Sequence, residues 1–198
     1  MSGRAAGPRG FTLVEVLVAV FVMTVGLLGI AALQITSKQT NFEALQRMTA
    51  SQLAQEMLER IRANPGQLTV YTNNGASRKF DAQPQSAPCS GEEVTCLASQ
   101  IAEFDLYEIA RAMSGITEQA PAAVGASTPT GGLVEPWLCI EGPAVAPGKV
   151  TVAVAWRGAT ALGSTPADTC GSGMERYDSA DGTPGVYRRV LSVGIYLE

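Results

Sequence analysis

Hydrophobic and polar positions divide the chain into a long apolar run, an amphipathic continuation and a more broken remainder. From Val16 to Ser37 there are 22 residues without a charge. About 20 apolar residues cross a bilayer core as a helix, whereas the apolar region of a cleavable signal peptide is roughly 7–15 residues. Beyond Lys38 the helical period continues. Ala50, Leu53, Ala54, Met57, Leu58 and Ile61 recur at the three- and four-residue spacing of one helix face, and glutamine, glutamate and arginine fill the other. Asn64-Pro65-Gly66 is the first strong helix breaker. The pattern predicts one helix over residues 11–63, roughly 80 Å long at about 1.5 Å per residue.

The part after Pro65 reads as α+β. Residues 66–95 are loop-rich, with a turn at Asn73-Asn74-Gly75 and a proline- and serine-bearing stretch from Gln83 to Gly91. Leu97 to Met113 predicts a helix with Ala102, Leu106, Ile109, Ala110 and Met113 on one face. Leu97, Ile101 and Phe104 lie on another face, shared with Glu108, so this helix is less cleanly amphipathic. Ser114 to Gly132 is low in charge and rich in Ala, Pro, Thr and Gly, the composition of an irregular connection. Trp137–Glu141 predicts a short strand entered at Pro136. Val150, Val152, Val154 and Trp156 alternate with Thr151, Ala153, Ala155 and Arg157, and Leu191, Val193, Ile195 and Leu197 with Val190, Ser192, Gly194 and Tyr196. An antiparallel sheet packed on the exported half of the long helix follows.

Composition sharpens this division. The chain has 198 residues, of which 46% are hydrophobic and 16% charged. The charged share is below the roughly one quarter usual for soluble domains. Much of the apolar excess lies between Phe11 and Leu33, so it reports a membrane segment rather than a large core. Net charge is −4. Removal of Arg4 and Arg9, the only charges before Gly10, leaves 12 basic against 18 acidic residues. Such an acidic product without a basic run is a poor nucleic-acid ligand. Arg4 and Arg9 also place the N-terminus in the cytoplasm and the chain after Lys38 on the exported side.

The chemistry-bearing residues are few. Histidine is absent, which removes the commonest general base and metal ligand. Cys89, Cys96, Cys139 and Cys170 all follow the apolar run, and in an exported head paired disulfides are the default over a zinc site lacking histidine or a CxxC pair. The preferred pairing is Cys89–Cys96 and Cys139–Cys170, although four cysteines allow three connectivities. Gly142 to Val150 superficially suggests a phosphate loop. Its glycines are one residue too far apart, Val150 replaces the hydroxyl, and two prolines remove amide donors. Asp178, Asp181 and Gly182 lack the spacing and terminal glutamate of a calcium loop and read as a turn. Glu92, Glu93, Arg188 and Arg189 read as solvated faces. No arrangement supports an enzyme, and no cofactor or metal is implied.

Glu15 is the anomaly, a carboxylate within an apolar run where charge costs energy. Gly10-Phe11-Thr12-Leu13-Val14-Glu15, behind a basic leader and ahead of an apolar span, resembles the prepilin processing motif of type IV pilins. The resemblance implies that a membrane-embedded prepilin peptidase cuts between Gly10 and Phe11 on the cytoplasmic side and methylates the new Phe11 amine. It also implies that the Glu15 carboxylate pairs with the Phe11 amine of a neighbouring subunit, which sets axial register and offsets the burial of both charges. Gly26 and Gly29 suit close helix packing or local bending, or are ordinary membrane glycines. Many major pilins carry a proline inside this helix, and here none occurs between Phe11 and Asn64.

The segments Gly26–Gln34 and Gln52–Pro65 are similar to the PilV branch of minor pilins. That resemblance implies a pilin-like α+β fold: a leader at 1–10, a transmembrane or filament-core half-helix at 11–37, an exported half-helix at 38–64, and a disulfide-bearing globular head at 65–198. The implied function is a minor pilin that primes or caps a type IV pilus and supports motility and adhesion. Its partners would be the prepilin peptidase, other minor pilins, the major pilin and the inner-membrane assembly platform. It would sit as a single-pass inner-membrane protein with a periplasmic head, then in the pilus at the cell surface. A type II secretion pseudopilin shares the N-terminal chemistry, and a membrane-anchored adhesive or ligand-binding module is the reading from another class.

Overall fold

The computed structural model describes residues 10–72, 89, 95–116, 119, 120, 128, 129 and 131–198. Helix α1 spans Leu13–Ala63, and a 3₁₀ turn at Pro65–Gln67 leads into the short helix α2, Leu68–Thr72. Helix α3 is Ala98–Ser114. The strands are β1 Gln119–Ala120, β2 Thr128–Pro129, β3 Trp137–Glu141, β4 Gly148–Arg157 and β5 Arg188–Leu197. This long N-terminal apolar helix, followed by a smaller helix and a three-stranded antiparallel sheet, is the arrangement of a pilin fold.

The chain forms two compact units, Met1–Asn41 and Phe42–Glu198. The described part of the first is dominated by the start of α1, whose residues there are all exposed. α1 is long and apolar enough to cross a membrane, and its apolar stretch has no buried residue. In a helix that is apolar all round, such exposure to water is unfavourable, so lipid or other apolar helices are its natural surroundings.

The second unit is built on a sheet of order β3-β4-β5 with antiparallel neighbours. Alternation along β4 sends Val150, Val152, Val154 and Trp156 to one face. There they join Ala50, Leu53, Ala54, Met57, Leu58 and Ile61 of α1 and Ala102, Leu106, Ile109 and Met113 of α3 in one core. α3 ends at Gly115, with φ 72°, whose N–H donates to the Ala112 carbonyl while Ile116 N–H reaches that of Arg111. A Cβ at Gly115 would lie 1.8 Å from the Gly131 carbonyl oxygen, so only glycine fits this helix stop.

Several expectations shift. α1 begins at Leu13 rather than Phe11, because Thr12 is a cap rather than a helical residue. Residues 66–72, expected as loop, lie in the 3₁₀ turn and α2, since Leu68 and Tyr71 find the core. The connection from Ser114 to Gly132, expected to be irregular, contains β1 and β2 paired antiparallel. β4 starts at Gly148 and β5 at Arg188, each two residues earlier than the alternation indicated. The turn at 73–75, Glu92 and Glu93 lie outside the described residues, as does the leader apart from Gly10.

The other sheet face carries a smaller core of Trp137, Cys139, Ala153, Ala155, Cys170 and Tyr177, covered by the connection 158–187. Cys139–Cys170 staples that connection to β3, closing a separation of 31 residues, and Cys89 is bonded to Cys96 ahead of α3. Replacing Cys139 and Cys170 together by alanine is expected to lower stability by about 3–4 kcal/mol through the freed unfolded chain. Chemical denaturation of the full chain in detergent measures this. A loss below about 1 kcal/mol would mean that the connection is held by its other contacts.

Candidate processing and assembly site

Gly10 and Phe11 precede the helix in exposed backbone. The Glu15 N–H donates to Thr12 O at 3.1 Å and to Thr12 Oγ1 at 3.3 Å, and the Val16 N–H donates to Thr12 O at 3.3 Å. Thr12 is therefore the N-cap, and the Gly10–Phe11 peptide lies outside the helical hydrogen-bond ladder. Apart from its two chain neighbours, no described residue has an atom within 4 Å of the place a Gly10 Cβ would occupy, which leaves room for a visitor there. Glu15 stands in the first turn, where the helix dipole favours a carboxylate. The Thr12-x-x-Glu15 spacing is that of a capping box and is readable in the sequence alone.

The candidate residues thus fall into separate groups. Gly10, Phe11 and Glu15 lie together at the start of α1. The four cysteines lie in the second unit as two disulfides, with no free thiol. Among the described residues no group of three or more His, Cys, Asp or Glu side chains is placed to hold a metal ion.

Polar clamps that the sequence did not announce hold the second unit together. Gln46 is buried on α1; its Nε2 donates to Gly132 O at 2.9 Å and its Oε1 accepts from Val134 N–H at 2.9 Å. One turn earlier, Glu43 Oε1 accepts from Ala159 N–H at 2.7 Å and from Arg189 Nη2 at 3.1 Å. α1 thereby fixes both the connection leading into β3 and the one leaving β4. Near its other end, Arg60 pairs with Glu56 at 2.7 Å and with Asp105 and Glu108 at 2.8 Å. Burial opposes the Arg60 charge, but these carboxylates outweigh it and raise its pKa.

Arg188 and Arg189, expected as solvated, are a correction. Arg188 is 4% exposed and donates to the carbonyls of Asp168 at 2.6 Å, Cys170 at 2.7 Å and Pro166 at 2.9 Å. Burial pulls its pKa down from the ordinary arginine value. Three backbone oxygens satisfy it, so it works as a strut under the disulfide-stapled connection rather than as a surface charge. Arg157 donates to the Arg176 and Asp178 carbonyls and lies 4.4 Å from the Tyr187 ring centroid.

Two buried phenols report on this packing. Burial, reinforced by the hydrogen bond from Tyr71 Oη to Asp105 at 2.6 Å, raises the Tyr71 pKa. Burial also pushes Tyr177 up to about 12, and its hydroxyl donates to Glu135 O at 2.8 Å. A phenol pKa raised by folding stabilises the head below the unfolded tyrosine value near 10, and that contribution is lost as pH rises through the folded pKa. Absorbance titration near 295 nm of the full chain in detergent should leave both phenolates unformed at a pH of about 11. Tyr71→Phe and Tyr177→Phe identify them by subtraction, and ionisation of either near its unfolded value would contradict this burial.

Residues 7–31 match the prokaryotic N-terminal methylation motif, and residues 32–107 match the family described as type IV pilin Tt1218. No curated protein and no solved structure matches the chain. The first match covers Gly10, Phe11, the Thr12 cap and Glu15; the second runs along α1 from Ala32 and reaches into α3. In order along the sequence, this chain thus matches a prokaryotic N-terminal methylation motif and then a type IV pilin family model, on a pilin-like fold.

Proposed function

We propose that the chain is a minor pilin of the PilV kind, a structural subunit that primes or caps a type IV pilus. The observation that carries this reading is the unbroken succession of a match to a methylation motif and a match to a type IV pilin family, both of which include parts of the long helix α1. Residues 1–10 are the leader. Residues 11–37 form the membrane or filament-core half of the helix, 38–64 its exported half, and 65–198 the head. Prepilin peptidase cuts the open Gly10–Phe11 peptide and methylates the Phe11 amine. The Glu15 carboxylate then pairs with the Phe11 amine of a neighbouring subunit.

Physical chemistry supports this division of roles. A carboxylate and an ammonium each lose hydration on entering an apolar assembly, and pairing offsets part of that loss. Cutting after Gly10 removes Arg4 and Arg9 with the leader while retaining the whole apolar span, so processing yields an anchored product. The subunit then stays in the inner membrane as a single-pass protein with a periplasmic head, until the assembly platform, other minor pilins and the major pilin draw it into the pilus. Its contribution to motility and adhesion is structural, with extension and retraction driven elsewhere.

Replacing Gly10 by valine should block cleavage and leave a product ten residues longer, as read by intact mass and N-terminal sequencing. A mature Phe11 terminus in Gly10→Val would overturn the processing assignment. Deleting the gene separates the pilus from a secretion role. Loss of surface pili and twitching with normal enzyme secretion supports the minor pilin. Normal pili with lost secretion supports a type II pseudopilin. A head that binds a surface ligand while both systems remain intact supports an anchored binding module.

A further inference from the structure

On the sheet face away from α1, the connection 158–187 buries Cys139, Ala153 and Ala155, whereas Glu141, Lys149, Ser192, Gly194 and Tyr196 stay exposed. At this boundary a cavity of about 240 Å³ opens, lined by Glu141, Thr151 and Ala153 of the sheet and by Ala167, Asp168 and Thr169 of the connection. Its outer wall is held in place. Arg188 donates to the Asp168 and Cys170 carbonyls, Cys170 is bonded to Cys139, and Asp168 Oδ1 accepts from Cys170 N–H at 2.8 Å. A site fixed in advance loses less entropy when a ligand binds.

Strand register places further groups beside the cavity. Thr151 pairs with Gly194 and Lys149 with Tyr196, so Thr151 and Tyr196 are diagonal neighbours on this face. Tyr196 is 69% exposed, an aromatic ring presented next to a polar cavity. Glycine inside a strand admits a close approach to the sheet. At Gly194 a Cβ would lie 3.0 Å from Lys149 Cε and 3.3 Å from Thr151 Oγ1. The lysine stem therefore lies across the strand and carries its cation to the threonine's side. Among the described residues Glu141 and Asp168 join no ion pair, and the Thr151 and Thr169 hydroxyls have no protein partner.

Carboxylates accept hydrogen bonds, an ammonium donates them, and threonine hydroxyls do both. A sugar ring carries hydroxyls that answer all three, and its apolar C–H face suits an exposed aromatic ring. Other ligand classes match less well. The apolar lining is two alanine methyls, too little for a hydrophobic ligand. Two carboxylates repel an anion. A calcium ion calls for about six to eight oxygens, and Lys149 alongside opposes any cation. The volume is below the roughly 300–1,000 Å³ of sites for drug-sized ligands, so it suits one ring rather than a chain of them. We propose that this cavity binds a single pyranose ring of a carbohydrate. Ring hydroxyls donate to Glu141 and Asp168 and exchange hydrogen bonds with Thr151 and Thr169, while the C–H face meets Tyr196. The site belongs to the second unit and does not rest on the assembly reading.

The test titrates the full chain, in a detergent without a sugar headgroup, with the methyl glycosides of glucose, galactose, mannose and N-acetylglucosamine. Saturation-transfer NMR should show at least one of them binding saturably, with a Kd on the order of 1 mM. Glu141→Gln and Asp168→Asn should each weaken that binding about tenfold. Tyr196→Ala should weaken it about fivefold, and Ser164→Ala, outside the cavity, should leave it unchanged. Wild-type ionisation of the Tyr177 phenol in each variant reports that the cover over the sheet is intact. Absence of saturable binding by all four glycosides would overturn the proposal, and so would binding that survives Glu141→Gln and Asp168→Asn together. Methylammonium or calcium taken up where no glycoside binds would reassign the cavity to a cation and overturn it as well.

Discussion

Val150, Val152, Val154 and Trp156 stand on one face of β4 and meet Ala50, Leu53, Ala54, Met57, Leu58 and Ile61 of α1. This contact is what the second unit depends on. An isolated helix has little reason to stay folded in water, and a three-stranded sheet with one bare face has no more. Each supplies the apolar surface that the other lacks. α3 then adds Ala102, Leu106, Ile109 and Met113 to the same core, and α2 closes one end with Leu68 and Tyr71. Burial at roughly 1.5–3 kcal/mol for each large aliphatic side chain makes this layer the main source of stability.

Apolar contact is non-directional, so it does not by itself fix where α1 sits along the sheet. Polar pairs supply that register. Gln46 gives both ends of its amide to the connection before β3, and Glu43 holds the connection after β4. Arg60 gathers carboxylates from α1 and α3. A slide of α1 by one turn would leave Gln46 and Asp105 buried without these partners, at a cost of about 1–3 kcal/mol for each stranded group and more for a charge. The second sheet face follows the same logic. A small apolar core gives adhesion there, and Arg188 and Cys139–Cys170 give position.

The parts of this fold that were legible in the sequence are those with a repeating signal. Ala50 to Ile61 repeats at the helical period and Val150 to Trp156 at the strand period, so each element announced its buried face. α2 did not, because five residues hold too little of a period to recognise, and Pro65-Gly66 ahead of it reads as a stop. β1 and β2, of two residues each, carry no alternation at all. The buried polar residues were hidden for a different reason. Gln46 is satisfied by groups 86 and 88 positions away, and Arg188 by carbonyls 18 to 22 positions back. No local pattern distinguishes such a residue from a solvated one. Thr12 could have been found, since its three-residue spacing to Glu15 is a cap signal readable without any structure.

On the proposed reading, that cap bears on how one short segment would serve two processes. Thr12 ends the helix on its N-terminal side, so the Gly10–Phe11 peptide stays outside the backbone ladder, where an enzyme can reach it without unwinding a turn. The same cap holds Glu15 in the first turn, close to the terminus that cleavage would create. A helix begun earlier would seal the peptide into hydrogen bonds. The start at Leu13 would therefore satisfy both demands of the proposed reading with one hydroxyl and one carboxylate. On the proposed reading, the chain needs no further machinery at its N-terminus beyond the peptidase that cuts it and the neighbour that pairs with it.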